Sequence, residues 1–505
     1  MEACRDGDTK TKCQGPCHGK RRDPGLSKKT NIGYRQNFQA RANGGLAAGA
    51  IESGSGRANA TGPDFEAGFF GGITTLLRCE PEEAEPRNPE GGVAEPAIIM
   101  PSQPPNFITA IDVGSAKTGV LIAEIGENGL RYRGHGISES RGLRKGVITE
   151  LDKAVRSIQK AVEKAEDVAG IPVEHALVGV AGAHIRGMNS HGGITFGARA
   201  REITRDDIRQ AVDKARTMPL PGDREILHLL PQEFILDDQP GVQDPTGMMA
   251  TRLEVRVHIV TASSNATQNV VTAVNKAGVH VDDTVFEPLA CADSVLRADE
   301  RELGICLADL GAGSCDLIVF QQGAVAHTAV IPIGGDHFTC DLSVGMCTGL
   351  AESESLKKNF GNAVATLIPE GNEVEVPSVG DRPSRLMPQR MVGEILEPRA
   401  RELFEMLREN LRQAGVLNHC IAGFVLSGGA SRLPGILDVA ESVLRKASRL
   451  AWPTPMAKMP ALMAEPECST VLGMVYYGHR ARIARGLQDG GWSSRMKAMF
   501  AKKGA

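Results

Sequence analysis

Aromatic residues make up only 4% of the 505-residue chain, and two of them are tryptophan. A surface that stacks nucleobases needs exposed ring faces, so this scarcity argues against single-stranded nucleic-acid binding. A net charge of −4 supplies no general attraction to a phosphate backbone. No nucleic-acid partner is expected. No apolar stretch reaches the ~20 residues a spanning helix needs, and no signal-peptide pattern opens the chain. The eleven cysteines are odd in number and irregularly spaced, which excludes a disulfide framework. Cys306, Cys315, Cys340 and Cys420 sit in or beside apolar runs, where reduced, buried thiols are expected. Cys13, Cys17 and His18 lack a second ligand pair at zinc-finger spacing. These absences fit a reducing cytoplasm.

The most informative stretch present is Ile305–Phe320, ICLADLGAGSCDLIVF. An apolar run reaches Asp309, turns through Gly311, Gly313 and Ser314, and resumes as an apolar run. Two β-rich runs joined by a glycine turn predict a hairpin. Such a turn can bring backbone N–H groups close to an anion, because glycine has no Cβ to hold it off. The layout occurs once before, at Phe107–Ile125. There Asp112 and Gly114 take the places of Asp309 and Gly311. Two copies on one chain predict two similar lobes whose turns face each other across a cleft.

Length alone predicts more than one core. Residues 1–105 are rich in Gly, Pro, Asn, Arg and Glu without sustained periodicity, and are expected to be disordered. A competing expectation is that the native chain begins at Met100. Residues 106–186 read as the first part of lobe one, with a helix over Gly146–Val168 and a strand at Ala176–Ala181. Residues 187–256 change composition and read as a small inserted subdomain, with a helix starting at Thr204. Lobe one continues over 257–302. Lobe two is placed at 303–469, with about 348–419 as its small subdomain. Within it Ala363–Val376 reads as two short strands, and Pro388–Gln413 as a long amphipathic helix. A helix at 470–485, a Gly-rich joint at 486–491 and a final segment at 492–505 complete the chain.

Four glycine turns end apolar runs: Gly114, Gly311/Gly313, Gly334/Gly335 and Gly428/Gly429. A nucleoside triphosphate needs such backbone donors at its phosphates. Asp112 and Asp309 alone would repel phosphate, so Mg²⁺ between them and the phosphate oxygens is implied. A Walker A loop is absent, since Lys117-Thr118 lacks the preceding Gly, and no dinucleotide fingerprint continues from Gly311.

In this order, the two turns, Glu287-Pro288, Gly335 and the LSGGASRLPGI run resemble the actin, chaperone and sugar-kinase ATPase superfamily. Ile226–Phe234 (ILHLLPQEF), Asp244–Met248 (DPTGM), Leu253–Ile259 (LEVRVHI) and the Glu354/Lys357 helix before Gly361 resemble its FtsA branch, the bacterial cell-division actin homologues. The likeness runs from about Phe107 to Arg485. It implies an α/β, actin-like (ribonuclease H-like, duplicated) bilobal ATPase fold with an FtsA-type inserted subdomain in lobe one. It also implies ATP and Mg²⁺ as cofactors, polymerisation, and docking of FtsZ, the tubulin-like ring protein, besides other divisome proteins. Asp112, Gly114, Ser115 and Lys117 match the first phosphate turn, and Asp309, Gly311, Gly313 and Ser314 the second. Gly334 and Gly335 form a further turn. Glu354 and Lys357 fall where the family contacts the ribose, and Gly428, Gly429 and Arg432 where it lines the adenine. Glu287, with Asp309 as the second catalytic candidate, holds the position that orients water in active relatives. Ser314-Cys315 replaces the usual Thr-Thr, and the weaker thiol donor implies slow ATP turnover.

In the final segment Trp492, Met496, Met499 and Phe500 fall at i, i+4, i+7 and i+8, with Arg495, Lys497, Lys502 and Lys503 on the rest of the turn. This is the pattern of a short interfacial helix that binds an anionic surface, with the added basic residues each contributing ~1 kcal/mol there. With the resemblance, it places the protein at the cytoplasmic face of the inner membrane at the division site. A pilus-assembly ATPase of the PilM type would keep the cleft but not the basic tail. A small-molecule kinase would need its own substrate pocket, and a rod-shape filament protein would lack the insertion.

Overall fold

The computed structural model describes residues 106–489 except 128 and 381, with the backbone alone over 485–489. The expected extension at 1–105 and the amphipathic segment at 492–505 lie outside the described residues. Strands β1 (Phe107–Val113), β2 (Lys117–Gly126) and β3 (Gly129–Glu139) form an antiparallel meander. Helix α1 (Leu151–Ala169) returns the chain to β4 (His175–Val180), which lies parallel to β1. The inserted subdomain follows as β5 (Arg186–Thr195), α2 (Arg205–Arg216), β6 (Arg224–Leu236), β7 (Gln239–Val242) and β8 (Arg252–Ser263). Its sheet has the order β7-β6-β8-β5 and is antiparallel throughout. Helix α3 (Ser264–Lys276) and β9 (His280–Phe286), parallel to β4, complete a five-stranded sheet of order β9-β4-β1-β2-β3.

The second half repeats this plan. After α4 (Glu287–Val295), the meander β10 (Ile305–Leu310), β11 (Cys315–Gln321) and β12 (Ala324–Ile331) leads through α5 (Gly335–Gly345), α6 (Leu350–Phe360) and α7 (Gln389–Gln413). Then β13 (Phe424–Ser427), α8 (Ile436–Leu444), β14 (Ser448–Leu450) and α9 (Ser469–Asp489) follow. The sheet order β12-β11-β10-β13-β14 is the same order as in the first lobe, with the same directions. This is the duplicated ribonuclease H-like plan of actin-type ATPases.

Burial explains why β2, β10 and β11 read as nearly unbroken apolar runs rather than alternating ones: the lobe sheets are covered on both faces there. Outside lobe one, Ile158, Ala161 and Val162 of α1 and Val270 and Val274 of α3 pack on Ile111, Val120 and Val178. Outside lobe two, Leu396, Leu403 and Leu407 of α7 pack with Leu317, Val319 and Phe424. Between the lobes, Leu289 and Ala290 of α4 and Leu472 and Val475 of α9 share one core with Ile108, Leu121, Leu307 and Val425. The two lobes are therefore joined by buried helices, which fixes the spacing of the turns at the sheet ends. The insert rests on β12, where His258 Nε2 hydrogen-bonds Thr328 Oγ1 (2.9 Å) and Gln232 Nε2 donates to the Val325 carbonyl (2.8 Å).

Several expectations need correction. The helix expected from Gly146 begins at Leu151, because Val147–Ile148 pairs with Leu143–Arg144 and Gly146 takes a left-handed φ of 76°. Ala363–Val376 holds one strand, Glu373–Val376, behind a single 3₁₀ turn at Ala365–Leu367. The last helix runs on to Asp489, into the expected joint at 486–491; one internal glycine costs a helix only ~1 kcal/mol. The strand closing the insert runs unbroken to Ser263, past the expected boundary at 256. Cys340 is exposed, while Cys306, Cys315 and Cys420 are buried.

Candidate nucleotide cleft

The β1–β2 turn and the β10–β11 turn stand at corresponding ends of the two meanders, and both line one cavity of about 590 Å³. Asp112 and Asp309, at corresponding positions of β1 and β10, open into it together, with Gly114, Ser115 and Lys117 on one wall and Gly311, Gly313 and Ser314 on the other. The turns meet closely: a Cβ on Gly313 would fall 3.1 Å from Ser115 Oγ. Gly335, Glu354, Lys357, Gly428, Gly429, Arg432 and Glu287 line the same cavity. Gly334 does not, and its N–H donates to His337 Nδ1 (3.1 Å).

The carboxylates dominate the electrostatics. Removal from water in the depth of the cleft pushes Asp112 up to about 6, against the pull of Lys117 and with the repulsion of Asp309. Desolvation likewise raises Asp309, which Thr470 partly opposes by donating from Oγ1 to Oδ2 (2.9 Å). Glu287 is raised well above the usual carboxylate range by desolvation and then by Asp112, Asp309 and Asp316. It fits because Gly179 faces it, where an added Cβ would stand 2.7 Å from Glu287 Oε1. Lys117 Nζ turns to the Glu467 carbonyl (2.8 Å). Gathered acidic oxygens of this kind match the preference of a hard divalent cation for oxygen ligands.

Farther along the cavity, Lys357 Nζ donates to the Gly335 carbonyl and to Thr339 Oγ1 (both 2.9 Å), and pairs with Glu354 at 2.6 Å. Thr339 also donates to Glu354. Helix α6 puts both site residues one turn apart on the face toward α5. Gly428 ends β13 at a φ of 82°, and a Cβ there would lie 2.4 Å from both Asp309 Oδ1 and the Leu310 carbonyl. Only glycine lets the strand end approach Asp309 this closely. Arg432 stands half exposed, 3.7 Å from Glu465 and 3.6 Å from Glu467.

Residues 182–261 match the family described as SHS2 domain inserted in FTSA, and residues 306–473 match Cell division protein FtsA. The Cell division protein FtsA of Pseudomonas aeruginosa is 40% identical over 373 residues, which are 74% of this chain and 89% of that relative. The chain belongs to the FtsA family. FtsA of Escherichia coli K12 is 33% identical over 75% of this chain and 91% of its own length. FtsA of Bacillus subtilis is 33% identical over 74% and 84%. The PilM-PilN type IV pilus biogenesis complex aligns with 74% of this chain and 98% of its own at a TM-score of 0.52 and 16% identity, a likeness of fold alone. The FtsA membership gives the chain an actin-like cell-division role and decides against the pilus, kinase and rod-shape readings.

Within this FtsA-family cleft, sequence reasoning missed Asp316. Its Oδ1 accepts from Gly182 N–H (3.0 Å) and its Oδ2 from Ser314 Oγ (2.8 Å). Desolvation pushes it up to about 6 against those two donors. Asp316 thus links the loop leading into the insert to the β10–β11 turn, and occupies the Ser314 hydroxyl. The signal was its parity with Ser314 on one strand face. The same parity corrects the expectation about Cys315, which is fully buried in the lobe-two core and outside the cleft lining. The Cys315 thiol is therefore not among the donors lining the cleft.

Proposed function

We propose that this FtsA-family chain binds Mg·ATP between its lobes, polymerises in that state, and tethers the FtsZ ring to the inner face of the cytoplasmic membrane. The observation that carries the reading is that both repeats deliver an aspartate and a glycine turn to one cavity. The turns carrying Gly114 and Ser115 and Gly311, Gly313 and Ser314 cradle the phosphates, with Lys117 leaving the Glu467 carbonyl and Ser314 leaving Asp316 to reach them. Gly335 supports that wall. Glu354 and Lys357 take the ribose, and Gly428, Gly429 and Arg432 the adenine. Asp112 and Asp309 hold Mg²⁺ through water, and that ion supplies the positive charge that lets carboxylate and phosphate share one site. Glu287, its carboxyl raised by burial and the neighbouring aspartates, orients water at the phosphate end.

Residues 492–505 supply the membrane contact through Trp492, Met496, Met499 and Phe500. One copy binds weakly, since ordering a short helix offsets much of the gain, and polymerisation makes attachment strong through multivalency. FtsZ docks on lobe two over residues 350–413, where Leu350, Leu367 and Leu386 are exposed. Among the described residues no helix is long and apolar enough to cross a membrane. Liposome co-sedimentation with and without 492–505, repeated with FtsZ and with ATP or no nucleotide, tests the reading. ATP-dependent sedimentation that needs the tail and carries FtsZ down is expected. Sedimentation indifferent to the tail, without FtsZ recruitment, would sink it.

A further inference from the structure

On the opposite side of the lobe-one sheet's chemistry, at the start of strands β4 and β9, three metal-ligating side chains converge. His175 and His280 are direct partners in the parallel register. Their rings lie 5.0 Å apart, centroid to centroid. Asp282 Oδ1 is 2.8 Å from His175 Nδ1 and 3.7 Å from His280 Nδ1. One ligand atom from each residue lies within 4.8 Å of the others. Around a tetrahedral zinc ion with bonds of ~2.0–2.1 Å, neighbouring ligand atoms stand roughly 3.3 Å apart. Small rotamer changes at exposed side chains cover the difference.

The backbone is shaped for this meeting. Regular pairing holds from His280↔His175 to Val281↔Ala176, then slips so that Asp283, not Asp282, faces Leu177. Asp282 is the extra residue of a β-bulge, and bulges re-aim a side chain. Val281 N–H, next to it, is held by Asn275 Oδ1 of α3 (3.2 Å). All three side chains are solvent-accessible.

We propose that His175, His280 and Asp282 form a surface site for a borderline transition-metal dication of the zinc class, pinning edge strand β9 to β4. Two imidazoles and one carboxylate suit Zn²⁺ rather than Mg²⁺, which prefers an all-oxygen shell. Three protein ligands leave at least one coordination position for water or a donor from another molecule. The site is separate from the nucleotide cleft and does not depend on its reading.

Zn²⁺ titrated calorimetrically into the reduced full chain, with Mg²⁺ in excess to fill hard oxygen sites, tests it against the His175→Asn/His280→Asn double variant. Cysteines and cleft carboxylates are common to both proteins and cancel. The wild type is expected to take up one more equivalent than the double variant, and Asp282→Asn to weaken that equivalent by about tenfold or more. Zinc is also expected to raise the Tm of the wild type more than that of the double variant. Equal stoichiometry and affinity in the wild type and both variants would overturn the proposal.

Discussion

At Gly428 two constraints coincide: a left-handed φ of 82° and a missing Cβ that would collide with Asp309. Gly428→Ala is therefore expected to destabilise the fold by on the order of 1–3 kcal/mol and to abolish nucleotide binding. Gly429→Ala, with open space around its Cβ, keeps stability; urea melts and nucleotide titrations of the pair check this. Asp316 gives a second residue-scale test. It is pushed up to about 6 in the fold and titrates near ~3.9 when unfolded. Between those values the folded state holds a proton the unfolded state has lost, so this group lowers stability as pH rises, with its full penalty above about 6. His184 and His258, held down to about 4 and about 3 by burial, act oppositely over an overlapping window. The acid is therefore read by difference. Asp316→Asn is expected to gain on the wild type by on the order of 1–3 kcal/mol between pH 4 and pH 7, and equal pH profiles in denaturant melts would refute it.

At the scale of elements, helix α2 shows how locally the insert is specified. Thr204 Oγ1 accepts from Asp207 N–H (3.3 Å), and Asp207 Oδ2 accepts in return from Thr204 N–H (2.8 Å), a capping box. Arg201 clamps the same carboxylate from outside the helix and lies over the Phe196 ring. Thr204→Ala is expected to cost about 1 kcal/mol in a urea melt without changing nucleotide affinity, because the insert has its own core around Ile208, Phe234 and Leu253. An equal loss of affinity would mean that the insert and cleft are coupled through Asp316 and Gly182. The elements that sequence patterning placed well are those whose signal is local: the two hairpins, the α2 cap and α6 over Leu350–Phe360. The misplaced ones, the start of α1 and the 363–376 segment, were decided by short strand pairings that helical or strand periodicity does not register: Val147–Ile148 with Leu143–Arg144, and Glu373–Val376 with Arg385–Pro388.

For the whole molecule, joining two lobes through buried α4 and α9 makes the cleft a clamp. A ligand bridging both walls stabilises the folded state by linkage, about 2.7 kcal/mol at a hundred times its Kd. Mg·ATP is therefore expected to raise the Tm of the full chain. EDTA should remove most of the rise, Asp112→Asn/Asp309→Asn should remove it too, and deletion of 492–505 should leave it in place. A shift that survives the double substitution would separate nucleotide binding from the paired aspartates.

Sequence alone determined the duplicated plan, because each repeat carries its strand, aspartate and glycine turn within about twenty consecutive residues. It also determined most cleft residues, since glycine and aspartate at strand ends are local requirements for approaching an anion. Tertiary structure decided the rest. That Ser314 gives its hydroxyl to Asp316, that Lys117 turns to the Glu467 carbonyl, and that Gly334 leaves the cavity all depend on partners brought together only by folding. The same is true of His175 and His280, 105 positions apart, which became neighbours through the parallel register of two strands. Local chemistry is written along the chain, whereas contacts across it exist only once the sheets have formed.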